Sequence, residues 1–141
     1  MNSCVKLTVP NDLNYIELIF NAVDFMAGLR GFNSKDINKI KLGVEEAVAN
    51  VVQHAFSTDE NQFFDIIISI DEIGIKIIIK EKGEPFDPAT IVDYSADSLN
   101  ENSTAKGLGL FLMRKFLDEV SFHNLGGDGK ETRLIKYFPY K

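Results

Sequence analysis

At 141 residues, the chain is long enough to bury roughly two-thirds of its unfolded surface, so it needs neither disulfides nor a structural metal to fold. Its 45% apolar and 26% charged residues are typical of a soluble globular protein and argue against a disordered one. A net charge of −6 argues against nucleic-acid binding, and a single cysteine excludes an internal disulfide. No apolar run reaches the roughly 18 residues that a membrane span requires. The N-terminus has no signal-peptide pattern, so we expect a cytoplasmic protein with no direct nucleic-acid or membrane partner.

The first thirty residues predict a strand followed by a helix. Apolar residues alternate over 5–9, and Cys4 at the start of this strand is expected to be a small buried hydrophobe. Asn11 is the expected N-cap of a helix over 12–30, in which apolar residues recur at steps of three and four. Gly31 is expected to end this amphipathic helix.

A second helix and a hairpin follow. The helix begins at its expected N-cap, Ser34, and an apolar stripe continues along it until Ser57. Two β-branched runs, 63–70 and 75–80, predict antiparallel strands joined by a turn at 71–74.

The remainder of the chain alternates between a polar loop, a helix and a second hairpin. The polar connection over 83–106 lacks periodicity, as functional lids and flexible segments do. A third helix opens at Gly107, and strands near 120–124 and 132–138 flank a glycine-rich turn at 126–129. This order predicts an α+β fold: a two-layer α/β sandwich in which the helices cover one face of a mixed, mainly antiparallel sheet.

Glu46 and Asn50 are the first candidate functional residues. They lie four residues apart, so they share one helix face beside the apolar stripe, where a cleft wall would be. An amide oxygen from Asn50 is a hard ligand of the kind Mg²⁺ accepts, and Glu46 has the chemistry of a general base. Taken alone, this helix favours the simpler interpretation that both residues belong to an ordinary solvated face.

Two glycine-containing segments complete the pattern. Glu81 ends a buried strand, where a carboxylate can accept a hydrogen bond from an exocyclic amine, and Gly83 lets the backbone pass close to a flat ring. The start of the third helix offers backbone N–H groups and a positive dipole end to phosphate, at Lys106, Gly107, Leu108 and Gly109. The chain contains neither a Walker A loop nor a dinucleotide fingerprint.

In this order, the three segments resemble the N, G1 and G2 boxes of the GHKL (Bergerat-fold) ATPase superfamily. Within it, segments 45–56, 83–88 and 107–113 are similar to those of the RsbW-type anti-sigma-factor serine/threonine kinases. The similarity extends over nearly the whole chain, including 117–120 and 133–137. It implies that residues 1–141 form a single histidine-kinase-like ATPase domain.

The resemblance also implies roles and partners. Glu46 would be the catalytic base that activates a serine hydroxyl, and Asn50 the ligand of Mg²⁺. Glu81 and Gly83 would bind the adenine of ATP, and the phosphates would lie beneath a lid over about 87–106, against Lys106, Gly107, Leu108 and Gly109. Such a kinase, expected to be a homodimer, would bind a sigma factor and phosphorylate a STAS-domain anti-anti-sigma protein.

The chain departs from the pattern of this family in three places. Glu81 stands where aspartate is usual, Lys106 where an arginine precedes the glycines, and Lys130 follows Gly129 where many members have threonine. Lysine lacks the planar fork with which arginine holds phosphate. Two alternatives therefore stay open: a non-catalytic or degenerate module that sequesters a sigma factor or another partner, and the ATP-binding subunit of a split signalling kinase.

Overall fold

The computed structural model describes residues 2–53, 62–82 and 105–139. Within these ranges, five strands form one sheet in the order β1-β2-β3-β5-β4, and all neighbouring strands are antiparallel. The strands are β1 Ser3–Pro10, β2 Phe63–Ile70, β3 Gly74–Glu81, β4 Glu119–Asn124 and β5 Lys130–Tyr137. The α-helices are α1 Ile16–Leu29, α2 Ser34–Gln53 and α3 Ala105–Phe116.

The sheet buries one face beneath the helices. Alternate residues of the two central strands point to this face, and the register pairs Ile66 with Ile79 and Ile68 with Ile77. These isoleucines join the buried stripe of α2, formed by Ile40, Val44, Ala47, Val48 and Val51. The expected two-layer α+β sandwich and both expected hairpins are confirmed, with antiparallel pairing throughout the described sheet.

The predicted helix ends needed correction at the N-caps. Asn33, and not Ser34, caps α2: its Oδ1 accepts a hydrogen bond from the N–H of Asp36 at 2.8 Å. Asp12, and not Asn11, caps the short 3₁₀ turn before α1, accepting from the N–H of Asn14 at 2.9 Å. In both places two capping residues are adjacent in the sequence, and only the backbone path decides which side chain meets the N–H groups.

Three further expectations changed. The segment 13–15 forms a 3₁₀ turn in which Leu13 is exposed, so the buried face of α1 is made by Ile19, Val23, Met26 and Ala27. Cys4 is exposed because strand alternation places it with Lys6 and Thr8, on the opposite face of the sheet from the buried Val9. The third helix begins at Ala105, two residues before the predicted start. Gly31 does end α1, with φ of 86° and its N–H donating to the carbonyl of Gly28.

The turn between β2 and β3 is held by one side chain. Oδ1 of Asp71 accepts hydrogen bonds from the N–H groups of Ile73 at 2.8 Å and Gly74 at 3.1 Å. These two bonds lower the pKa of Asp71 below its ordinary value.

Within the described ranges, none of the helices is both long enough and apolar enough to span a bilayer.

Candidate functional site

The helix α2 presents Glu46 and Asn50 at the flank of its buried stripe. Both residues are half-buried, whereas Ala47 and Val48 beside them are buried in the core. The hydrophobic stripe fixes the rotation of α2 on the sheet, and this rotation places position 46 and position 50 at the boundary between core and solvent. The two side chains are therefore held by a rigid element at a partly desolvated surface.

Glu46 lies directly against α3. Its Oε2 is 2.8 Å from the point that a Cβ atom would occupy on Gly109, which is buried. At Gly43 of α2, an added Cβ would overlap the side chain of Leu117, the residue directly after α3. Glycines on both helices thus let α2 and α3 come together, and one result is that a carboxylate sits beside the first turns of α3.

This position changes the acidity of Glu46. Burial, with a smaller contribution from the neighbouring charge of Glu45, raises the pKa of the Glu46 carboxyl above its ordinary value. A carboxylate with a raised pKa is a stronger base than an exposed one. Glu46 therefore has the position and the chemistry of a general base.

Glu81, at the end of β3, makes a contact that the sequence did not predict. It pairs in register with Lys130, the first residue of β5, and Nζ of Lys130 lies 3.0 Å from its Oε1. The side chains are only 14% and 6% exposed, respectively, so the ion pair is largely buried. Burial raises the pKa of Glu81, while the hydrogen bond and the charge of Lys130 oppose this rise.

Gly129 makes this pairing possible. Its φ of 94° lies in the left-handed region, and an added Cβ would collide with the backbone carbonyl of Glu81. A 3₁₀ turn over 126–128 leads into Gly129, whose carbonyl accepts from the N–H of Leu125 at 2.8 Å. The sequence signal for the pair was the lysine directly after Gly129, where the resembled family often has threonine.

A cavity of about 860 Å³ opens beside Glu81. Its lining includes Val51, which follows Asn50 on α2, and Phe64 at the start of β2. Asn11 also lines it, and its buried Oδ1 has no hydrogen-bond partner. The volume falls within the range of small-molecule sites, which run from roughly 300 to 1,000 Å³.

Several predicted site residues cannot be placed. Gly83 and residues 87–104 of the lid expected over about 87–106 lie outside the described residues, and at Lys106 and Gly107 only the backbone, within α3, is described. Leu108 is exposed. Among the described residues, no group of three or more acidic, histidine or cysteine side chains could hold a metal, and His123 hydrogen-bonds to Ser121 at 2.9 Å.

Glu46 of α2, one turn before Asn50, thus faces a glycine-containing helix, α3, and both helices lie over the antiparallel sheet. Residues 9–136 match the model of the histidine kinase-like ATPase domain, and the chain belongs to this family. Its relatives include the serine-protein kinase RsbW of Staphylococcus aureus strain JH9, 34% identical over 128 residues, covering 87% of this chain and 80% of that one. RsbW of Bacillus subtilis strain 168 is 30% identical over 132 residues, covering 87% and 79%.

A solved structure supports the fold. The crystal structure of the RsbU and RsbW domains of a Mycobacterium tuberculosis protein superimposes with a TM-score of 0.67 at 15% identity. The match covers 95% of this chain but 31% of the longer one, so the chain spans about a third of that protein. At this identity the likeness concerns the fold alone.

Proposed function

We propose that residues 1–141 form one ATP-binding domain that acts as a protein serine/threonine kinase and anti-sigma factor, and that it phosphorylates a STAS-fold antagonist of the sigma factor. The main support for this proposal is the position of Glu46, whose half-buried carboxylate lies against Gly109 in the first turns of α3. A base is thereby held beside the kind of helix start that binds phosphate. The RsbW relatives, named serine-protein kinases, support the same activity.

The residues at the site fit ATP with Mg²⁺. The first N–H groups of α3 lack partners within the helix, and the missing Cβ of Gly109 lets the Glu46 carboxylate come close to that part of α3. The amide oxygen of Asn50 would bind Mg²⁺, and the cavity beside Glu81 would receive the adenine. ATP with its metal would supply the phosphoryl group and the positive charge that offsets the phosphates.

In the proposed reaction, Glu46 takes the proton of a serine hydroxyl on the antagonist as that oxygen attacks the γ-phosphorus of ATP; the bond from the γ-phosphorus to the β–γ bridging oxygen breaks, and ADP leaves. The ionised carboxylate is the active form, so the rate should fall as the pH drops below the raised pKa of Glu46. Lys106, Gly107, Leu108 and Gly109 at the start of α3 would orient the phosphates. The rest of the catalysis is positioning, which the packing of α2 on α3 supplies.

The proposed partners follow from the same relatives. A sigma factor and a STAS-domain anti-anti-sigma protein would compete for the chain in the cytoplasm, where sigma factors act. The chain itself would be a homodimer, because α1 leaves an apolar stripe uncovered: Leu18, Phe25 and Leu29 are 48%, 66% and 59% exposed. Asp24, whose carboxylate pairs with Lys41 of α2 at 3.0 Å, lies on a different side of α1 from this stripe.

Calorimetry and phosphoryl transfer test the proposal together. ATP with Mg²⁺ should bind to the wild-type chain, and Asn50→Ala should weaken binding or remove its dependence on magnesium. Wild-type chain with labelled ATP and a STAS-fold protein should label serine, and Glu46→Gln should bind ATP normally but label at least about 100-fold more slowly. Equal labelling by both would remove Glu46 from its role, and absence of binding at millimolar ATP would refute the kinase.

A second candidate function is favoured by the ion pair of Glu81. Because its carboxylate is already bound to Lys130, the chain is also compatible with a non-catalytic module that sequesters a sigma factor without nucleotide. Such a module would bind the sigma factor equally well with and without ATP. The kinase would release or retain it according to the nucleotide and the antagonist.

A further inference from the structure

Only one member of the buried ion pair between Glu81 and Lys130 is among the described residues that line the cavity. Glu81 lines the cavity, whereas Lys130 is not among the described residues that line it. Lys130 instead reaches Glu81 across the β3–β5 pairing, at 3.0 Å. Any effect of Lys130 on a molecule in the cavity would therefore pass through the carboxylate of Glu81.

The contact has two physical consequences for Glu81. A carboxylate that is 14% exposed is costly to keep ionised without a partner, and the ammonium group of Lys130 offsets this cost. The contact also fixes Oε1, which orients the whole planar group, yet a carboxylate with two oxygens can accept several hydrogen bonds. Glu81 is thus held as a charged, oriented acceptor that can still receive a further donor.

The other charged groups at this end of the sheet have different contacts. Asp65 and Glu131 belong to the opposite face by strand alternation, and they pair with Lys6 at 3.6 Å and Arg133 at 3.1 Å, respectively. Lys80 shares that face, and Asp65, Glu131 and Lys80 all line the cavity, as do Lys82 and Asp128. Lys130 is the cation that contacts Glu81 from the neighbouring strand.

We propose that Lys130 is a positioning residue for base recognition: by holding the Glu81 carboxylate ionised and oriented, it sets the selectivity for a purine that carries an exocyclic amine. The inference rests on the proposed function, since it requires that a nucleotide occupy the cavity. It assigns to Lys130 a role in specificity without direct contact to the base. An ionised carboxylate accepts from an amine, whereas a protonated or misdirected one loses this preference.

Two nucleotides and two variants test the role. ATP carries the amine and purine riboside triphosphate lacks it, so the ratio of their dissociation constants measures recognition of the amine. The wild-type chain should prefer ATP by about 10- to 100-fold, as expected for one charge-assisted hydrogen bond. Lys130→Met should reduce this preference to roughly threefold or less, and Lys130→Arg, which keeps the charge, should largely restore it.

The pH dependence separates positioning from simple support of the fold. In Lys130→Met, burial acts on Glu81 without its cation, so its pKa should lie higher than in the wild-type chain and the preference for ATP should return only as the pH is raised and Glu81 ionises. The wild-type chain should reach its full preference at a lower pH than the variant. Equal weakening of both nucleotides at every pH, with the ratio intact, would show a structural role and overturn the inference.

A double variant that removes both buried charges tests the role even if Lys130→Met alone fails to fold. The double variant Glu81→Gln/Lys130→Met leaves no unpaired buried charge and should have the same nucleotide ratio as Glu81→Gln alone, because Lys130 acts through Glu81. A further tenfold change would show that Lys130 contacts the base and would refute positioning. If the wild-type chain binds neither nucleotide, the proposed function fails and the inference fails with it; if it binds with selectivity that Lys130→Met retains, only the inference fails.

Discussion

Gly109→Ala should separate the stability of the protein from its activity. An added Cβ at position 109 would lie 2.8 Å from Oε2 of Glu46, so the carboxylate must retreat by about 0.6 Å to reach ordinary van der Waals separation. The obstructing atom is the end of a flexible side chain, so the shift costs little. Because alanine is the better helix former, the substitution should raise the free energy of unfolding by about 0.5–1 kcal/mol, less the cost of the shift.

Phosphoryl transfer should respond in the opposite direction. Displacing a catalytic group by up to about one ångström can lower the reaction rate by up to about 100-fold. We therefore expect Gly109→Ala to transfer phosphate about 10- to 100-fold more slowly than wild type. The assay is the initial rate of serine labelling on a STAS-fold protein at saturating ATP. Chemical denaturation of the same samples gives the free energy of unfolding.

Gly28→Ala is the matched control. Gly28 also lies within a helix, and an added Cβ there would meet no atom within 4 Å. It should stabilise the protein by a similar amount without changing the rate. A wild-type rate in Gly109→Ala, with ATP binding unchanged, would refute the idea that the approach of Glu46 to α3 sets the chemistry.

Two further predictions concern stability and assembly. Asp71→Ala should lower the free energy of unfolding at pH 7 by about 0.5–1 kcal/mol, whereas Asp71→Asn, whose amide oxygen can still accept both turn hydrogen bonds, should cost less. The pKa of Asp71 is lowered in the folded protein, so its contribution to stability is present above the ordinary aspartate pKa of about 4 and is lost as the pH falls through the pKa of the folded state. If the loss of stability in Asp71→Ala does not become smaller in acid, the ionised carboxylate is not what holds the turn. Phe25→Ser should weaken the proposed homodimer at least about tenfold in sedimentation equilibrium, because the substitution removes the most exposed side chain of the α1 stripe. Leu42→Ser, at an exposed position of α2, is the control that should leave association unchanged, and equal association of all three proteins would exclude the stripe as the interface.

Periodicity in the sequence determined the fold of the described residues. The isoleucine-rich runs on both sides of Asp71 and the apolar stripe of α2 each have one stable arrangement, because every alternative exposes a continuous apolar face. The same periodicity placed Glu46 and Asn50 at the flank of the stripe. The choice between adjacent capping residues was beyond the sequence, since Asn33 and Ser34 have similar capping ability and differ only in where the backbone puts them.

Contacts between distant segments needed the tertiary structure. Nothing in the order of residues states that the carboxylate of Glu46 meets position 109, because that distance depends on how closely two helices pack. Likewise Glu81 and Lys130 are far apart in the chain, and only the β3–β5 register brings them opposite each other. Local hydrophobic pattern thus determined the elements and their buried faces, whereas the pairing of charges depended on strand register and helix spacing, which arise only when the whole core packs.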